Sequence, residues 1–346
     1  MIDLRTDTVT HPTEEMRDAM RHAELGDDGR DGDPTVRRLE EMAAVATGQE
    51  AGLMVASGTM SNLVALLTHA NRDHGEVLLD AESHIMRSEL GGIAKLAGLF
   101  PRIYPAERGT PDVAALRELV QPTITRMQFP TSLISMETTH NDAGGAVIPL
   151  ETLAAVRKVA SEKGIPVHID GARVFNAAVA LGVPASEIGK HADSIGFCVS
   201  KGLCGPVGSV LCGSKAFIDR ARVYRRMVGG TMRQAGVFAA AGIVALEKMV
   251  DRLADDHKRA RRLADGLHAV DPKLVNPNRV ATNILMVEIG DTGMDATMWV
   301  SALAAKGIKA SAWNATSLRL VTHRHIDDAA VDQTISAFRA LHPRLR

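Results

Sequence analysis

The sequence predicts an α/β protein with a large domain on a mostly parallel sheet and a small C-terminal α+β domain. Short apolar runs alternate with amphipathic helical segments up to about residue 213. Residues 214–269 are helical in pattern throughout, and shorter strand and helix patterns follow from about residue 276. Alternation of strand and helix favours a parallel sheet with helices on both faces. We expect a large domain over 1–250, including the N-terminal segment, and a small domain over 251–346.

The individual elements follow from periodicity and from the residues that interrupt it. Pro12 and Pro34 stand where the first turn of a helix tolerates proline. The predicted helices of the large domain are 12–24, 34–48, 59–72, 112–120, 150–163 and 173–181, and its predicted strands are 52–56, 76–80, 132–137, 165–169, 194–198 and 207–212. In the small domain we expect strands at 284–289 and 318–321 and helices at 294–306 and 326–341.

Composition excludes several classes of function. Lys plus Arg number 40 and Asp plus Glu number 41, a net charge of −1 in 346 residues that gives no global attraction to nucleic acid. The sequence shows no apolar run near the roughly 18–20 residues of a membrane span, so we expect no membrane partner. Three cysteines, Cys198, Cys204 and Cys212, make no disulfide framework and indicate a reducing compartment, the cytoplasm.

A strand-to-helix turn in VASGTMSN, residues 55–62, is a candidate phosphate site. Gly58 lets the backbone approach a ligand, and Thr59 offers a hydroxyl where a helix begins. Free amides and the helix dipole at such a position favour an anion. Many turns of this type only cap a helix, so this signal is weak by itself.

Two charged residues follow other predicted strands. Asp170 ends the strand in PVHIDGAR, and Lys201 stands in CVSKGLCGPVG among small residues. Ligands of open parallel sheets bind beyond the carboxyl ends of the strands. Separately, Asp170 is equally well a helix cap, and most lysines are simply solvated.

Together the three features point to pyridoxal phosphate, which needs a lysine for covalent attachment, a carboxylate on its ring nitrogen and a cup for its phosphate. The chain supplies the cup, Asp170 and Lys201 in that order. The gap of 201 − 170 = 31 residues fits one helix-containing crossover between strands.

At this point the sequence resembles the low-specificity L-threonine aldolases, a family of pyridoxal-phosphate enzymes with the aspartate-aminotransferase-like fold. The resemblance runs nearly end to end and implies a large domain with a mostly parallel seven-stranded sheet. It also implies cleavage of L-threonine, L-allo-threonine and related β-hydroxy-α-amino acids to glycine and an aldehyde. The blocks that carry it are IDLRTDTVTHPT at 2–13, SGTM at 57–60, ESH at 82–84, THN at 139–141, HIDGARVFNA at 168–177, SKGLCGPVGS at 200–209, MRQAGVFAAAGIVAL at 232–246 and RLVTH at 319–323.

The resemblance implies a role for each matching residue. Lys201 would bind the cofactor covalently, Asp170 would pair with its ring nitrogen, and His84 would stack on the ring near the substrate hydroxyl. Gly58 and Thr59 would hold the phosphate. Arg233 would reach the phosphate in a neighbouring subunit, which implies a homotetramer, a dimer of dimers. Arg173 and Arg319, together with Thr6, would hold the substrate carboxylate, for which a planar guanidinium is well suited.

Departures from the family pattern leave the substrate open. Arg30 and Arg87 replace aromatic residues, and two such charges at the pocket mouth favour a diacid such as 3-hydroxyaspartate; solvated arginines are the competing interpretation. Gln128 falls where many members carry a histidine near the substrate hydroxyl. Glutamine cannot accept a proton at neutral pH, so His84 or a water molecule on the cofactor phosphate would be the base.

Other interpretations remain at this stage. A β-eliminating lyase or a transaminase could use the same cofactor site, and a regulator could bind the cofactor without turnover. A nicotinamide-binding Rossmann domain is disfavoured because no G-x-G-x-x-G motif opens the first strand-helix turn. His323 and His325 form a His-x-His pair, but no acid or cysteine nearby in the sequence completes a ligand set, so we expect no metal.

Overall fold

A computed structural model describes residues 1–70 and 75–342. Its main feature is a seven-stranded sheet in the order β2-β10-β9-β8-β7-β3-β4, in which β10 is antiparallel to both of its neighbours. The strands of the chain are β1 Ile2–Asp3, β2 Ala51–Val55, β3 Gly75–Leu79, β4 Leu99–Ile103, β5 Ala106–Glu107, β6 Thr110–Pro111, β7 Thr131–Glu137, β8 Val167–Asp170, β9 Ser194–Cys198, β10 Ser209–Gly213, β11 Ile284–Glu288, β12 Ile308–Lys309, β13 Ser311–Asn314 and β14 Ser317–Val321.

Helices cover the sheet and link its strands. They are α1 Glu14–Arg21, α2 Pro34–Thr47, α3 Gly58–His69, α4 His84–Arg87, α5 Gly92–Lys95, α6 Val113–Leu119, α7 Leu150–Lys163, α8 Val174–Leu181, α9 Ser186–Gly189, α10 Lys215–Met227, α11 Gly236–Lys248, α12 Leu253–Val270, α13 Ala296–Ala305 and α14 Asp328–Leu341. No helix in these described stretches is both long enough and apolar enough to cross a membrane.

The predicted fold class is confirmed, and most predicted elements are present with ends shifted by a few residues. The caps explain the ends. Helix α2 begins after Asp33, whose side chain accepts from the amide of Val36, and it ends at Gly48, whose φ of 69° favours glycine. The predicted helix 59–72 is observed as α3, and residues 71 and 72 lie outside the described residues.

The sequence missed strand β4, which supplies the seventh strand of the sheet. β4 pairs only with β3 at the edge, so most of its side chains are exposed. Its sequence, Leu-Phe-Pro-Arg-Ile, contains a proline that an edge strand tolerates and that weakens a strand prediction. Strands β12 and β13 of the small unit were missed as well.

The small C-terminal unit is a three-stranded antiparallel sheet, β11-β14-β13, packed against α12, α13 and α14. Trp299, Phe338 and Leu4 lie in its apolar core. Leu4 comes from the N-terminus, where β1 pairs in parallel with β12. The N-terminal segment, expected with the large domain, therefore lies against the small unit and links it to the central sheet. The boundary near residue 250 stays a prediction.

Candidate active site

The carboxyl ends of the parallel strands bring the three predicted chemical features to one edge of the sheet. Asp170 is the register partner of Glu137 on β7 and of Gly196 on β9. On the other side, Ser209 on β10 pairs with both Cys198 and Val55, the last residues of β9 and β2. The strand order therefore places the segments that follow β2, β8 and β9 side by side.

The candidate phosphate turn begins helix α3. The hydroxyl oxygen of Ser57 accepts from the amide of Met60 at 3.2 Å and caps the helix. Gly58 and Thr59 occupy the first turn, where backbone amides have no acceptor within the helix. A Cβ added at Gly58 would lie 2.9 Å from the Sγ atom of Cys198, so glycine allows the turn to pack against β9. Free amides at this helix start suit an anionic group.

Asp170 is buried at the end of β8. Its Oδ2 accepts from Nδ2 of Asn62 at 2.8 Å, and its Oδ1 accepts from the amide of Ala172 at 3.1 Å. These donors fix the carboxylate where a ligand beyond the sheet can reach it. Asn62 was not singled out from the sequence, although it lies in the quoted turn motif, because only folding brings α3 over β8.

Lys201 lies three residues beyond the end of β9 and is partly buried. Its carbonyl oxygen accepts from the hydroxyl of Thr10 at 2.7 Å, and the same hydroxyl donates to the carbonyl of Asp7 at 3.0 Å. Among the described residues, the Lys201 amine has neither a hydrogen-bond partner nor an ion-pair partner. The backbone of Lys201 is fixed by the hydrogen bond from Thr10 while its amine is unpaired among these residues, so the amine is available to form a covalent bond.

His84 opens the short helix α4 and is oriented by two acids. Its Nδ1 lies 2.9 Å from Oε1 of Glu89, and its amide donates to Oε2 of Glu137 at 2.5 Å. The hydrogen bond to Glu89 raises the pKa of His84 above its ordinary value. The proton shared on Nδ1 leaves Nε2 for a substrate. The sequence signal for Glu89 was only its spacing of five residues from His84, which is not diagnostic.

Glu137 connects His84 to the substrate end of the site. The carboxyl group is buried, which raises the pKa of Glu137. Besides the amide of His84 it accepts the amide of Asn141 at 2.8 Å. The side-chain oxygen of Asn141 in turn accepts from Nη1 of Arg319 at 2.9 Å. Neither Glu137 nor Asn141 was assigned a role from the sequence, although THN at 139–141 is among the quoted blocks.

Arg319 is a buried cation with no carboxylate within ion-pair distance among the residues that the structure describes. Its guanidinium lies over the ring of Trp313, 4.7 Å from the ring centroid, and Nη2 donates to the carbonyl of Arg5 at 3.3 Å. Its Nε is buried and has no hydrogen-bond partner among the residues described. Burial and the repulsion of Arg173 lower the pKa of Arg319 to about 10. Thr6, which follows Arg5 in the chain, is partly exposed, and its hydroxyl oxygen accepts from the amide of Thr8 at 3.2 Å.

Arg173 already has an ion-pair partner within its own chain. Its Nε and Nη2 donate to the two carboxylate oxygens of Asp7, each at 2.7 Å, and both side chains are buried. Burial opposes ionisation of Asp7, but the adjoining guanidinium outweighs it and holds the pKa of Asp7 well below its ordinary value. Arg173 was expected to hold a substrate carboxylate together with Arg319. The Nε and Nη2 atoms of Arg173, which would bind that carboxylate, donate to Asp7 instead.

Three arginines predicted near the site lie at its rim or on the surface. Arg87 is paired with Asp142 at 2.7 Å, and Arg30 is exposed and lies 3.9 Å from Asp27. Arg87 and Arg30 therefore each have a carboxylate within ion-pair distance. Arg233 is 65% exposed and lies 3.5 Å from the same Asp27. Its guanidinium faces outward, away from the core of its own subunit.

Gln128 is not part of this site in the folded chain, contrary to its predicted place near a substrate hydroxyl. Its Nε2 donates to Oε2 of Glu76 at 3.0 Å. Glu76 is the second residue of β3, so Gln128 lies at the amino-terminal edge of the sheet, and the site lies at the carboxyl edge. The resemblance placed Gln128 near the substrate hydroxyl, but the loop 121–130 carries it to the amino-terminal edge.

Two groups of side chains that could bind a metal already form hydrogen bonds within the protein. Candidate ligand atoms of His84, Glu89 and Asp170 all lie within 4.8 Å of one another, but Asn62 donates to both carboxylates of this cluster. In the predicted His-x-His pair, Nε2 of His325 accepts from the amide of His11, and Nδ1 of His323 accepts from the amide of His325. The absence of a metal stays a prediction.

Comparison with known proteins identifies the family. The model of the beta-eliminating lyase family matches residues 3–292. A probable low-specificity L-threonine aldolase 2 of Arabidopsis thaliana is 44% identical over 340 residues, which covers 97% of this chain and 96% of that protein. The chain belongs to the low-specificity L-threonine aldolase family. The Escherichia coli K12 protein of that name is 38% identical over 345 residues, 99% of this chain and 100% of that protein.

Solved structures support the same fold. The threonine aldolase of Leishmania major has a TM-score of 0.83 at 18% identity and covers 99% of both chains. A putative L-allo-threonine aldolase of Listeria monocytogenes has a TM-score of 0.80 at 19% identity, covering 94% of this chain and 92% of the other. The relatives at 44% and 38% identity confirm the family predicted from the sequence blocks, and the solved structures have the same fold.

Proposed function

We propose that the protein cleaves L-threonine, L-allo-threonine and related β-hydroxy-α-amino acids to glycine and an aldehyde, with pyridoxal phosphate as its cofactor. One structural observation carries this proposal. The buried cation of Arg319 lacks a carboxylate within ion-pair distance in the described chain, and it lies at the same edge of the sheet as Asp170 and Lys201. An unpaired buried charge is costly unless a ligand compensates it, and an amino acid supplies a carboxylate.

The residues at this edge fit the cofactor. Lys201 offers an uncommitted amine, Asp170 a fixed carboxylate for the ring nitrogen, and Gly58 and Thr59 free amides for the phosphate. When bound, pyridoxal phosphate accepts the electrons of the bond that breaks. Side-chain atoms of His84 and Asp170 lie within 4.8 Å of each other, which supports a role for His84 on the face of the cofactor ring.

The side chains of the protein supply binding and proton transfer. Arg319, steadied by Asn141 and the carbonyl of Arg5, holds the carboxylate of the amino acid and so decides which bond at Cα is presented for cleavage. His84 takes the proton of the β-hydroxyl at Nε2, because Glu89 holds Nδ1. Gln128 lies at the other edge of the sheet, so His84 is the base that this chain itself offers.

The first test is the variant Lys201→Ala. We expect it to lose turnover and the adduct that borohydride traps with the cofactor. Lys215→Ala is the matched control, since Lys215 is a 77% exposed lysine paired with Asp219 on the surface of α10. An intact trapped adduct in the Lys201 variant would refute the assignment.

Product analysis separates this reaction from the rivals on the same cofactor. Wild-type protein incubated with threonine and with 3-hydroxyaspartate should release glycine and an aldehyde in both cases. Threonine should be preferred, because Asp142 and Asp27 already pair with Arg87 and Arg30. Release of a keto acid and ammonia without glycine would indicate β-elimination instead.

We also propose a homotetramer in which Arg233 reaches the cofactor phosphate of a neighbouring subunit. The outward guanidinium of Arg233 and its weak hold on Asp27 at 3.5 Å support the proposal. Sizing the cofactor-bound protein tests the assembly, and Arg233→Ala should weaken cofactor binding without changing the fold. An active monomer would contradict both parts.

The cytoplasm is the compartment we propose for this protein. Support comes from Cys198, Cys204 and Cys212, which are all buried and unbridged. Burial also raises the pKa of Cys212 to about 12, so this thiol is unreactive.

A further inference from the structure

Asn62 lies at the centre of the buried polar groups behind the active site. Its side-chain nitrogen is 2.7 Å from Oε1 of Glu89 and 2.8 Å from Oδ2 of Asp170. Ionised carboxylates only accept hydrogen bonds, so the NH₂ group of the amide must face both acids. The amide oxygen then points the other way, towards Nε2 of His168 at 3.2 Å.

This orientation fixes the protonation of His168. An amide oxygen only accepts, so Nε2 of His168 must carry a hydrogen. Burial lowers the pKa of His168 to about 4, so the ring is neutral near pH 7 and its Nδ1 is an acceptor. The only donor that faces Nδ1 among the described residues is the hydroxyl of Ser194, 2.9 Å away.

The same reasoning extends one residue further. Because the hydroxyl hydrogen of Ser194 points to His168, its oxygen is left to accept from Nε2 of His69, 2.8 Å away. Burial lowers the pKa of His69 to about 3, so this ring is neutral as well and donates through Nε2. Each hydrogen bond then has one donor and one acceptor, and the donors point in one direction, from His69 through Ser194, His168 and Asn62 to Asp170.

We propose that His168 is a positioning residue for Asp170: it holds the amide of Asn62 in the one orientation that donates to both Asp170 and Glu89. The inference rests on the proposed function, in which Asp170 pairs with the cofactor ring nitrogen. Hydrogen bonds aligned in series polarise one another and place positive ends against the carboxylate. Without the Nε2 hydrogen of His168 the amide oxygen of Asn62 loses its donor, and the two acids alone hold the amide in place.

The position of His168 in the sequence agrees with this role. It precedes Asp170 by two residues on β8, so the two side chains lie on the same face of the strand. His168 is fully buried and both of its ring nitrogens are used in the chain of hydrogen bonds. A histidine that only filled space in an apolar core would need neither partner.

The direct test is nuclear magnetic resonance of the cofactor-bound protein labelled with ¹⁵N-histidine, with the His168 signals assigned from their loss in His168→Gln. We expect a neutral ring with the hydrogen on Nε2, unchanged across neutral pH. A ring with the hydrogen on Nδ1, or a charged ring at pH 7, would overturn the proposal, because His168 would then not be the neutral Nε2 donor that accepts from Ser194 and holds the amide oxygen of Asn62.

A second measurement compares cofactor dissociation constants of three variants. His168→Phe removes both ring nitrogens and should raise the dissociation constant for pyridoxal phosphate about tenfold, the effect of losing about one hydrogen bond. His168→Gln keeps a donor and should remain within about twofold of the wild type. His342→Phe is the control, a buried histidine of the small unit beside Asp271, and should lower thermal stability only.

The outcomes are separable. If wild-type protein does not bind pyridoxal phosphate through Lys201, the proposed function fails. If the wild type binds but His168→Phe binds equally well, or His168→Gln is no better than His168→Phe, only the role of His168 is refuted.

Discussion

The two edges of the central sheet differ in how their charged side chains are paired. At the amino edge, Glu76 lies 2.5 Å from Arg102 and also accepts from Gln128, so the acid, the base and the amide satisfy one another. At the carboxyl edge of the described chain, Glu89 lies 2.9 Å from His84 but, like Asp170, has no lysine or arginine as an ion-pair partner, and Arg319 has no carboxylate within ion-pair distance. Charges that a folded chain leaves uncompensated indicate where it binds a charged ligand.

One pair at the carboxyl edge is an exception. Arg173 and Asp7 satisfy each other in the interior, and Nδ2 of Asn283 also donates to Asp7 at 3.2 Å. This pair joins the N-terminal segment, helix α8 and the small unit close to Lys201. It therefore stabilises the frame of the site, and Arg319 is left as the guanidinium that can hold a substrate.

The largest expected effect breaks that pair. Asp7→Ala leaves a buried arginine without its acid and should lower the free energy of unfolding by about 3–5 kcal/mol. Since the folded-state pKa of Asp7 is depressed, its contribution is present above the unfolded pKa and is lost as pH falls. Denaturant unfolding at neutral and acidic pH should show the two proteins converging in acid. Equal stability at neutral pH would contradict the role given to this pair.

A smaller effect is expected from Arg319→Lys. Lysine cannot bind Asn141, the Arg5 carbonyl and a carboxylate in one plane, so kcat/KM for threonine should fall by about 100-fold, or about 2.7 kcal/mol. Steady-state kinetics measure the loss. The matched control is Arg102→Lys at the amino edge, whose kcat/KM should stay near that of the wild type. Equal losses in both variants would remove the distinction between the two edges.

The variant Glu89→Gln tests whether Glu89 sets the pKa of His84. The hydrogen bond that His84 donates to Glu89 raises the pKa of His84, and the charges of Asp170 and Glu137 add to the effect. A base works when unprotonated, so activity should rise with pH through this raised pKa. Removing the charge of Glu89 should move the acid limb of the kcat/KM profile to lower pH. A limb that stays in place would show that His84 is not the titrating base.

The smallest effect is expected at the amino edge. Gln128→Ala removes a hydrogen bond to Glu76, which keeps Arg102 as its partner, so kcat/KM for threonine should change by less than about twofold. Thermal unfolding should also change little. A large loss of kcat would restore the role near the substrate hydroxyl that the sequence predicted for Gln128.

The sequence by itself determined the fold class, the family and the residues that follow strand ends. Asp170 and Lys201 could be found because strand periodicity and flanking small residues are local signals. The sequence did not reveal strand β4, because an edge strand that contains a proline lacks the apolar pattern of a buried strand.

The tertiary structure alone decided which charges are compensated. Arg173 and Arg319 look alike in sequence, but Asp7 lies 166 positions from Arg173 and bonds to it, while no carboxylate of the described residues lies within ion-pair distance of Arg319. The contacts of Asn62 with Asp170 and of Glu137 with His84 span 108 and 53 positions. Such pairings depend on strand order, and strand order is set by the packing of the whole chain.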